Sequence, residues 1–409
     1  MDAERNEGNQ FIAKELEYGA HNYTPIPVVI EKGKGIYVWD VDGNRYIDCL
    51  SAYSALNFGH RHPKIMETMI QQAQKLHLTS RAFFNNVLGE FLQKLSKSTG
   101  MERVLPMNTG AEAVETSIKI ARRWGYRKKR IDSGKAEIIA CENNFHGRTT
   151  TIIGFSSDPN SYSDFGPATP GFIKVPFNDP EALEQSITEN TAAFLVEPIQ
   201  GEAGIIVPDD DYLGQVSSIC NRHNVLLILD EIQTGLGRTG KNFAFQHYDI
   251  KPDILCLGKA LGGGVYPVSA ALARGDVMDV ITPGSHGSTF GGNPLGAAIA
   301  ICALELLESG DMAKQARLLG IKFLKFLQRL ADQSERIKEV RGKGLLLAIE
   351  FKKEYGPARD IVLNLKDHGI LVKETHKYTI RIAPPLVITQ AEINKIQDVL
   401  TQVILNKND

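Results

Sequence analysis

Between Val104 and Ala273 the chain repeats one pattern, a short apolar run followed by a stretch of helical periodicity. The runs Val104–Met107, Glu137–Cys141, Ala193–Val196, Leu226–Leu229, Ile254–Leu257 and Val268–Ala273 are strand-length and mostly aliphatic. Helical patterns over Ala111–Lys128, Pro180–Thr188 and Asp211–His223 lie between several of them. Strands alternating with helices in this way predict a largely parallel α/β sheet with helices on both faces.

A chain of 409 residues is too long for one ordinary core, so two domains are expected. The pattern changes near Asn293. Helices over Pro294–Glu308 and Met312–Gln333 lead to a strand at Gly344–Phe351, a helix at Ala358–His368, strands near Ile370–Lys373 and Thr379–Ile382, and a last helix from Gln390. This reads as a smaller α+β domain. A strand pair, Gly35–Val41 and Arg45–Asp48 around the Asp42-Gly43 turn, is expected to pack on it. The expected division is an N-terminal segment 1–54, a large domain 55–290 and a small domain 291–409.

A net charge of −2 favours neither nucleic acid nor an anionic membrane as partner. The longest apolar runs are strand-length, so no membrane span is expected. The polar start MDAERNEGNQ has neither a signal-peptide core nor transit-peptide character. Five scattered cysteines without CxxC spacing read as reduced, buried thiols, and the expected location is cytoplasmic.

The chemistry concentrates between Val225 and Gly264. Asp230 ends one apolar strand, and Lys259 follows the apolar run Ile254–Leu257. Lysine is costly to bury unless its pKa falls or it forms a bond there. An acid and a lysine on neighbouring strand ends can hold a pyridine ring by its nitrogen and its aldehyde, which points to pyridoxal phosphate (PLP). Asp230 would keep the ring nitrogen protonated. Lys259 would form the Schiff base and then move a proton at the substrate carbon.

Upstream, Met107-Asn108-Thr109-Gly110-Ala111-Glu112 joins a strand to a long helix, where backbone amides and the helix terminus can receive a phosphate. The same residues also read as a plain capped helix start with Thr109 as N-cap. Asn144-Phe145-His146-Gly147-Arg148 follows another strand, in the crevice where α/β folds bind ligands. A ring there can stack on a flat cofactor, and Arg148 suits a carboxylate; alone, the segment would read as a loop. Two other motifs are set aside. Gly235–Gly240 matches GxGxxG, but no clear helix follows it and no suitable acid lies about twenty residues on. His60 and His62 in GHRHP have no third ligand at metal spacing, and Pro63 starts a helix, so no metal is expected.

These residues resemble the class III aminotransferases of PLP fold type I over nearly the whole chain. GHRHP, NTGAEA, FHGRT, EPIQGEAG, LDEIQTGLGRTG, the Lys259 region, GSTFGGNP and RGKGL carry the resemblance. Within the family, EYGAHNYTPIPV and LSAYSALNFGH look like the ornithine δ-aminotransferases rather than the acetylornithine or 4-aminobutyrate enzymes. The resemblance implies Lys259 as the Schiff-base lysine, Asp230 at the ring nitrogen, and Phe145 stacked on the ring. Gln233 and His146 would lie around the ring and its 3-hydroxyl, with Gly110 and Ala111 giving amides to the phosphate. Ser288 and Thr289 would reach the phosphate of the other subunit, making a homodimer necessary.

For substrates, the resemblance implies L-ornithine as amino donor and 2-oxoglutarate as acceptor, with glutamate formed. Tyr23 and Arg148 would hold ornithine's distal end, Arg381 the α-carboxylate of glutamate or 2-oxoglutarate, and Glu202 would mask Arg381 while ornithine reacts. Tyr53 would shape the pocket wall. A core tyrosine and a surface Glu202 remain the plainer readings of these positions. The alternatives are an acetylornithine or 4-aminobutyrate aminotransferase, or an aminomutase of the same fold, against which the Glu202/Arg381 pair argues.

Overall fold

The computed structural model describes residues 7–405. Seven strands form the main sheet, in the order Arg103–Met107, Ser269–Ala273, Ile254–Leu257, Leu226–Asp230, Thr191–Val196, Glu137–Cys141 and Phe172–Val175. Ser269–Ala273 runs antiparallel to both its neighbours, and every other pairing is parallel. The central strands Thr191–Val196, Leu226–Asp230 and Ile254–Leu257 are buried along their full length. They read as unbroken apolar runs because helices cover both faces.

The large-sheet strands foreseen from sequence are all present, within two residues at their ends. Phe172–Val175 was not foreseen. It is an edge strand, short, with the exposed Lys174 breaking its apolar pattern. The helix foreseen over Ala111–Lys128 is helical as Gly110–Trp124 and closes in a π-turn at Gly125–Lys129.

Two four-stranded sheets complete the fold. One joins Ile30–Lys34, Tyr37–Asp40 and Arg45–Asp48 to Ile370–Leu371, which pairs in parallel with Arg45–Asp48. The other is antiparallel, in the order Ile337–Lys343, Leu346–Phe351, Thr379–Ile382 and Lys373–Thr375. Its strand Thr379–Ile382 is buried throughout and carries Arg381. Helix Pro294–Ser309 packs against helices Pro63–Lys75 and Leu88–Thr99.

His60 Nε2 donates to Asp48 Oδ2 at 2.8 Å, and Pro63 opens the helix Pro63–Lys75. No group of metal-binding side chains occurs among the described residues, and no described helix is long and apolar enough to cross a membrane. All five cysteines are free and buried.

Candidate active site

Parallel strands end on one edge of a sheet, and their carboxyl ends open a crevice there. In this crevice lies a cavity of about 210 Å³. Gly110, Ala111, Phe145, His146, Glu202, Asp230, Gln233 and Lys259 line it, together with Gly147, Glu197, Ile199, Ile232 and Thr234. Each comes from the end of a strand, the loop after it or the start of the helix that follows, so the sheet topology gathers residues that are far apart in sequence.

Asp230 is the last residue of its strand, and its carboxylate is held from two sides. The amide of Ile232 donates to Oδ1 at 3.0 Å, and His146 Nδ1 donates to Oδ2 at 2.7 Å. Burial acts to lower the His146 pKa, but the hydrogen bond and charge of Asp230 outweigh it, and the net shift is upward. The sequence expectation put His146 with Gln233 around the ring and its 3-hydroxyl; the structure places both on the cavity wall, with His146 Nδ1 bonded to Asp230. The neighbouring Glu231 faces away from the cavity and accepts from the amides of Ala244 and Phe245 at 2.6 and 2.7 Å.

Lys259 follows the strand Ile254–Leu257 and adopts a left-handed φ of 45°, uncommon for a residue with a side chain. The conformation aims its amine into the cavity. Desolvation pushes its pKa down, with the Arg381 charge adding to that and Glu202 opposing it. The result enlarges the share of neutral amine, the form able to attack an aldehyde or accept a proton.

Helix Gly110–Trp124 begins at the cavity wall. Thr109 and Glu112 form a reciprocal capping box, so the plain structural reading of this motif holds. The cap engages the Glu112 amide and leaves the Gly110 and Ala111 turn facing the cavity. A Cβ at Gly110 would press within 3.0 Å of Ile232 Cδ1.

On the opposite side, Arg381 is 1% exposed and donates to Glu202 through Nη1 at 2.6 Å and Nη2 at 3.4 Å. Gln233 Nε2 donates to the same carboxylate at 3.0 Å, leaving its buried Oε1 without a partner. The Tyr53 ring lies 4.8 Å from the Arg381 guanidinium, which makes a cation–π contact. Tyr53 stands in a run of four left-handed residues, Ser51–Ser54, pinned where Ser51 Oγ donates to the Ala383 carbonyl at 2.7 Å. Gly201 allows this packing, since a Cβ there would fall 1.6 Å from Gln233 Oε1.

Burial alone would raise the Glu202 pKa, but the charge and hydrogen bonds of Arg381 bring it to about 2. Because the folded value lies below the usual one, the pair's stabilisation is complete above about pH 4.3 and is lost as pH falls through the folded value. Denaturant unfolding across this acid range is expected to show the advantage of the parent over Glu202→Gln shrinking as pH falls. A constant difference between the two proteins would contradict the ion pair's assignment.

Arg381 and Tyr53 are off the cavity wall and reach it through Glu202, and four further substrate or cofactor candidates also stand apart from it. Arg148 bonds Ser161 Oγ at 3.0 Å and lies 5.6 Å from the Phe145 ring. Tyr23 is 71% exposed. Ser288 Oγ accepts from Asn108 Nδ2 at 3.1 Å, and Thr289 is exposed. Glu197, in contrast, was missed from sequence although it lines the cavity. It accepts from the Phe145 amide at 2.9 Å and the Gly201 amide at 3.3 Å, and burial pushes its carboxyl up to about 7. Its signal was available: an acid directly after the fully apolar run Ala192–Val196.

The cavity fits PLP on the structure's own terms. It combines a helix terminus for a phosphate, an acid fixed by two hydrogen bonds for a ring nitrogen, a lysine of lowered pKa for an aldehyde, and an unpartnered Gln233 Oε1 for a hydroxyl.

Comparison with known proteins agrees with this geometry. The family described as Aminotransferase class-III matches residues 18–404. An ornithine aminotransferase of Brevibacillus brevis is 52% identical over 97% of this chain and 98% of its own. A structure of ornithine aminotransferase from Toxoplasma gondii, with partial PLP occupancy at its active site, superposes with a TM-score of 0.97 at 46% identity, covering 98% of this chain and 94% of that one. An acetylornithine aminotransferase from Elizabethkingia anophelis superposes with a TM-score of 0.89 at 49% identity, covering 97% and 99%. The chain belongs to the class III aminotransferases and is a PLP-dependent transaminase of fold type I.

Proposed function

We propose that this enzyme transfers the δ-amino group of L-ornithine to 2-oxoglutarate, giving glutamate-5-semialdehyde, which cyclises to pyrroline-5-carboxylate, and glutamate. The observation that carries this reading is the Arg381–Glu202 pair beside the Lys259 cavity. An amino donor with two cationic groups is repelled by a bare guanidinium, whereas a dicarboxylate needs one. A carboxylate that can cover or release Arg381 serves both substrates in turn, and the identity to ornithine aminotransferases supports the choice of donor.

When bound, PLP supplies an aldehyde for the amine and a protonated ring that draws electrons from the carbon losing its proton. In this reading Lys259 holds the cofactor and then carries the proton between carbons. Asp230, fixed by His146 and the Ile232 amide, keeps a proton on the ring nitrogen. Phe145 backs the ring, Gln233 and His146 lie around it, and the Gly110–Ala111 turn receives the phosphate. Tyr53 holds the Arg381 side of the pocket, while Tyr23 and Arg148 receive ornithine's far end.

Ser288 and Thr289, away from their own cavity, are assigned to the site of a second copy in a homodimer. The reading divides the chain at 1–54, 55–290 and 291–409, supported by the pairing of Arg45–Asp48 with Ile370–Leu371, and places the enzyme in the cytoplasm.

The similarity to the Elizabethkingia acetylornithine aminotransferase supports one competing donor. Steady-state rates with ornithine, N-acetylornithine and 4-aminobutyrate, each with 2-oxoglutarate, separate the readings. Ornithine is expected to give the highest kcat/KM. A preference for N-acetylornithine would replace this proposal with the second.

A further inference from the structure

The GLGRTG loop, Gly235–Gly240, does not match a dinucleotide site and, Gly235 onward, contributes nothing to the cavity wall. Its arginine is nevertheless among the most deeply buried side chains of the molecule. Arg238 has 0% exposure and no carboxylate partner among the described residues. Its Nη1 donates to the Leu345 carbonyl at 3.0 Å and the Pro384 carbonyl at 2.6 Å, and its Nη2 donates to Asn57 Oδ1 at 2.5 Å. Asn57 answers by donating from Nδ2 to the Leu236 carbonyl at 2.9 Å, and the Leu345 amide donates to the Arg238 carbonyl at 3.1 Å.

The three segments gathered this way matter for the site. Asn57 follows the left-handed turn that presents Tyr53, and Pro384 follows the strand that carries Arg381. Leu345 sits in the turn between Ile337–Lys343 and Leu346–Phe351, and the latter strand pairs Ala348 with Arg381. Gly344, at φ 61°, lies so close to the loop that a Cβ would meet the Arg238 carbonyl oxygen at 2.6 Å. A cation is expensive to bury without an anion, and here neutral acceptors from separate segments are its compensation. Only a planar guanidinium reaches such divergent acceptors at once.

We propose that Arg238 is a positioning residue for the dicarboxylate half-reaction: it locks the Tyr53 segment, the Gly344 turn and the Arg381 strand in one register, so that Arg381 meets the substrate's second carboxylate correctly aligned. The inference rests on the reading of Arg381 as the carboxylate-binding residue. The ornithine half-reaction, in which Arg381 stays paired with Glu202, depends much less on this alignment.

The test compares holoenzyme of the parent, Arg238→Lys, Asn57→Ala and Arg381→Ala. Binding of glutarate, which cannot react, is measured by calorimetry. KM and kcat are measured separately for ornithine and 2-oxoglutarate, with melting temperature and cofactor absorbance as controls. Misalignment of a binding group well short of its loss is expected to weaken glutarate about tenfold in Arg238→Lys and to raise KM for 2-oxoglutarate by a similar factor. KM for ornithine is expected to change by less than about threefold. Asn57→Ala is expected to move the same parameters in the same direction, and carries the test should Arg238→Lys fail to fold. Unchanged glutarate affinity in a folded variant, or equal damage to both substrates, would overturn the proposal while leaving the Arg381 reading intact. Retention of glutarate binding in Arg381→Ala would remove the Arg381 reading itself, and the positioning role with it.

Discussion

Lys259→Ala is expected to lower the transamination rate by at least about 10²–10⁴-fold, the range that a positioned general base contributes. The loss of the covalent attachment point adds to this. Purified variant is also expected to lack the visible absorbance of lysine-bound PLP. The expectation follows from geometry as much as from residue type: the amine projects from a left-handed residue at the end of a buried strand, into the cavity that Asp230 also lines. Desolvation lowers its pKa, so a neutral amine is available where an exposed lysine would stay charged. The fold has little reason to fail, because alanine only removes a side chain from a cavity wall. An unchanged absorbance in Lys259→Ala would show that the cofactor is held elsewhere.

Glu202 and Arg381 are expected to fail in opposite half-reactions. Arg381→Ala removes two hydrogen bonds to a carboxylate, each charge-assisted and worth about 1.5–3 kcal/mol. Reaction with 2-oxoglutarate or glutamate is therefore expected to fall by about 10²-fold or more in kcat/KM. Glu202→Gln leaves the guanidinium, 1% exposed, without its anion. Disrupting a buried charge pair from one side costs about 2–5 kcal/mol, and here that cost appears as repulsion of ornithine's ammonium groups. Glutamate turnover is expected to hold or improve in Glu202→Gln, because Arg381 no longer has to be released. Rapid-mixing measurements of each half-reaction check both variants. Parallel losses in the two half-reactions would mean that the pair is structural.

The central strands were legible because burial on both faces leaves a continuous apolar run, as in Ile254–Leu257 and Leu226–Asp230. Strands at the margins were not. Ile30–Lys34 is largely exposed and carries three charges, and Ile337–Lys343 is mostly polar, so neither has an alternation strong enough to read. At the site, the residues assigned to the chemistry stood out through placement: Asp230 closes an apolar run and Lys259 follows another. Their supports did not. The bond from His146 to the strand-end Asp230 spans 84 residues, and the contact of Arg381 with Glu202, expected only through the family resemblance, spans 179. No local pattern encodes such distances. Gly201 was silent for a related reason, since its necessity comes from Gln233, which arrives from a different strand. Arg238 sat inside a motif that carried the family resemblance but gave the arginine no role, and its value lies in acceptors supplied by segments beyond that motif.

The most direct test of the account is a single-turnover experiment on the PLP-loaded enzyme, following cofactor absorbance after mixing with ornithine, N-acetylornithine or 4-aminobutyrate alone. Conversion to the aminated cofactor is predicted to be fastest with ornithine, and adding 2-oxoglutarate is predicted to restore the starting spectrum with formation of glutamate. Faster conversion by N-acetylornithine or 4-aminobutyrate, or failure of 2-oxoglutarate to restore the spectrum, would contradict it.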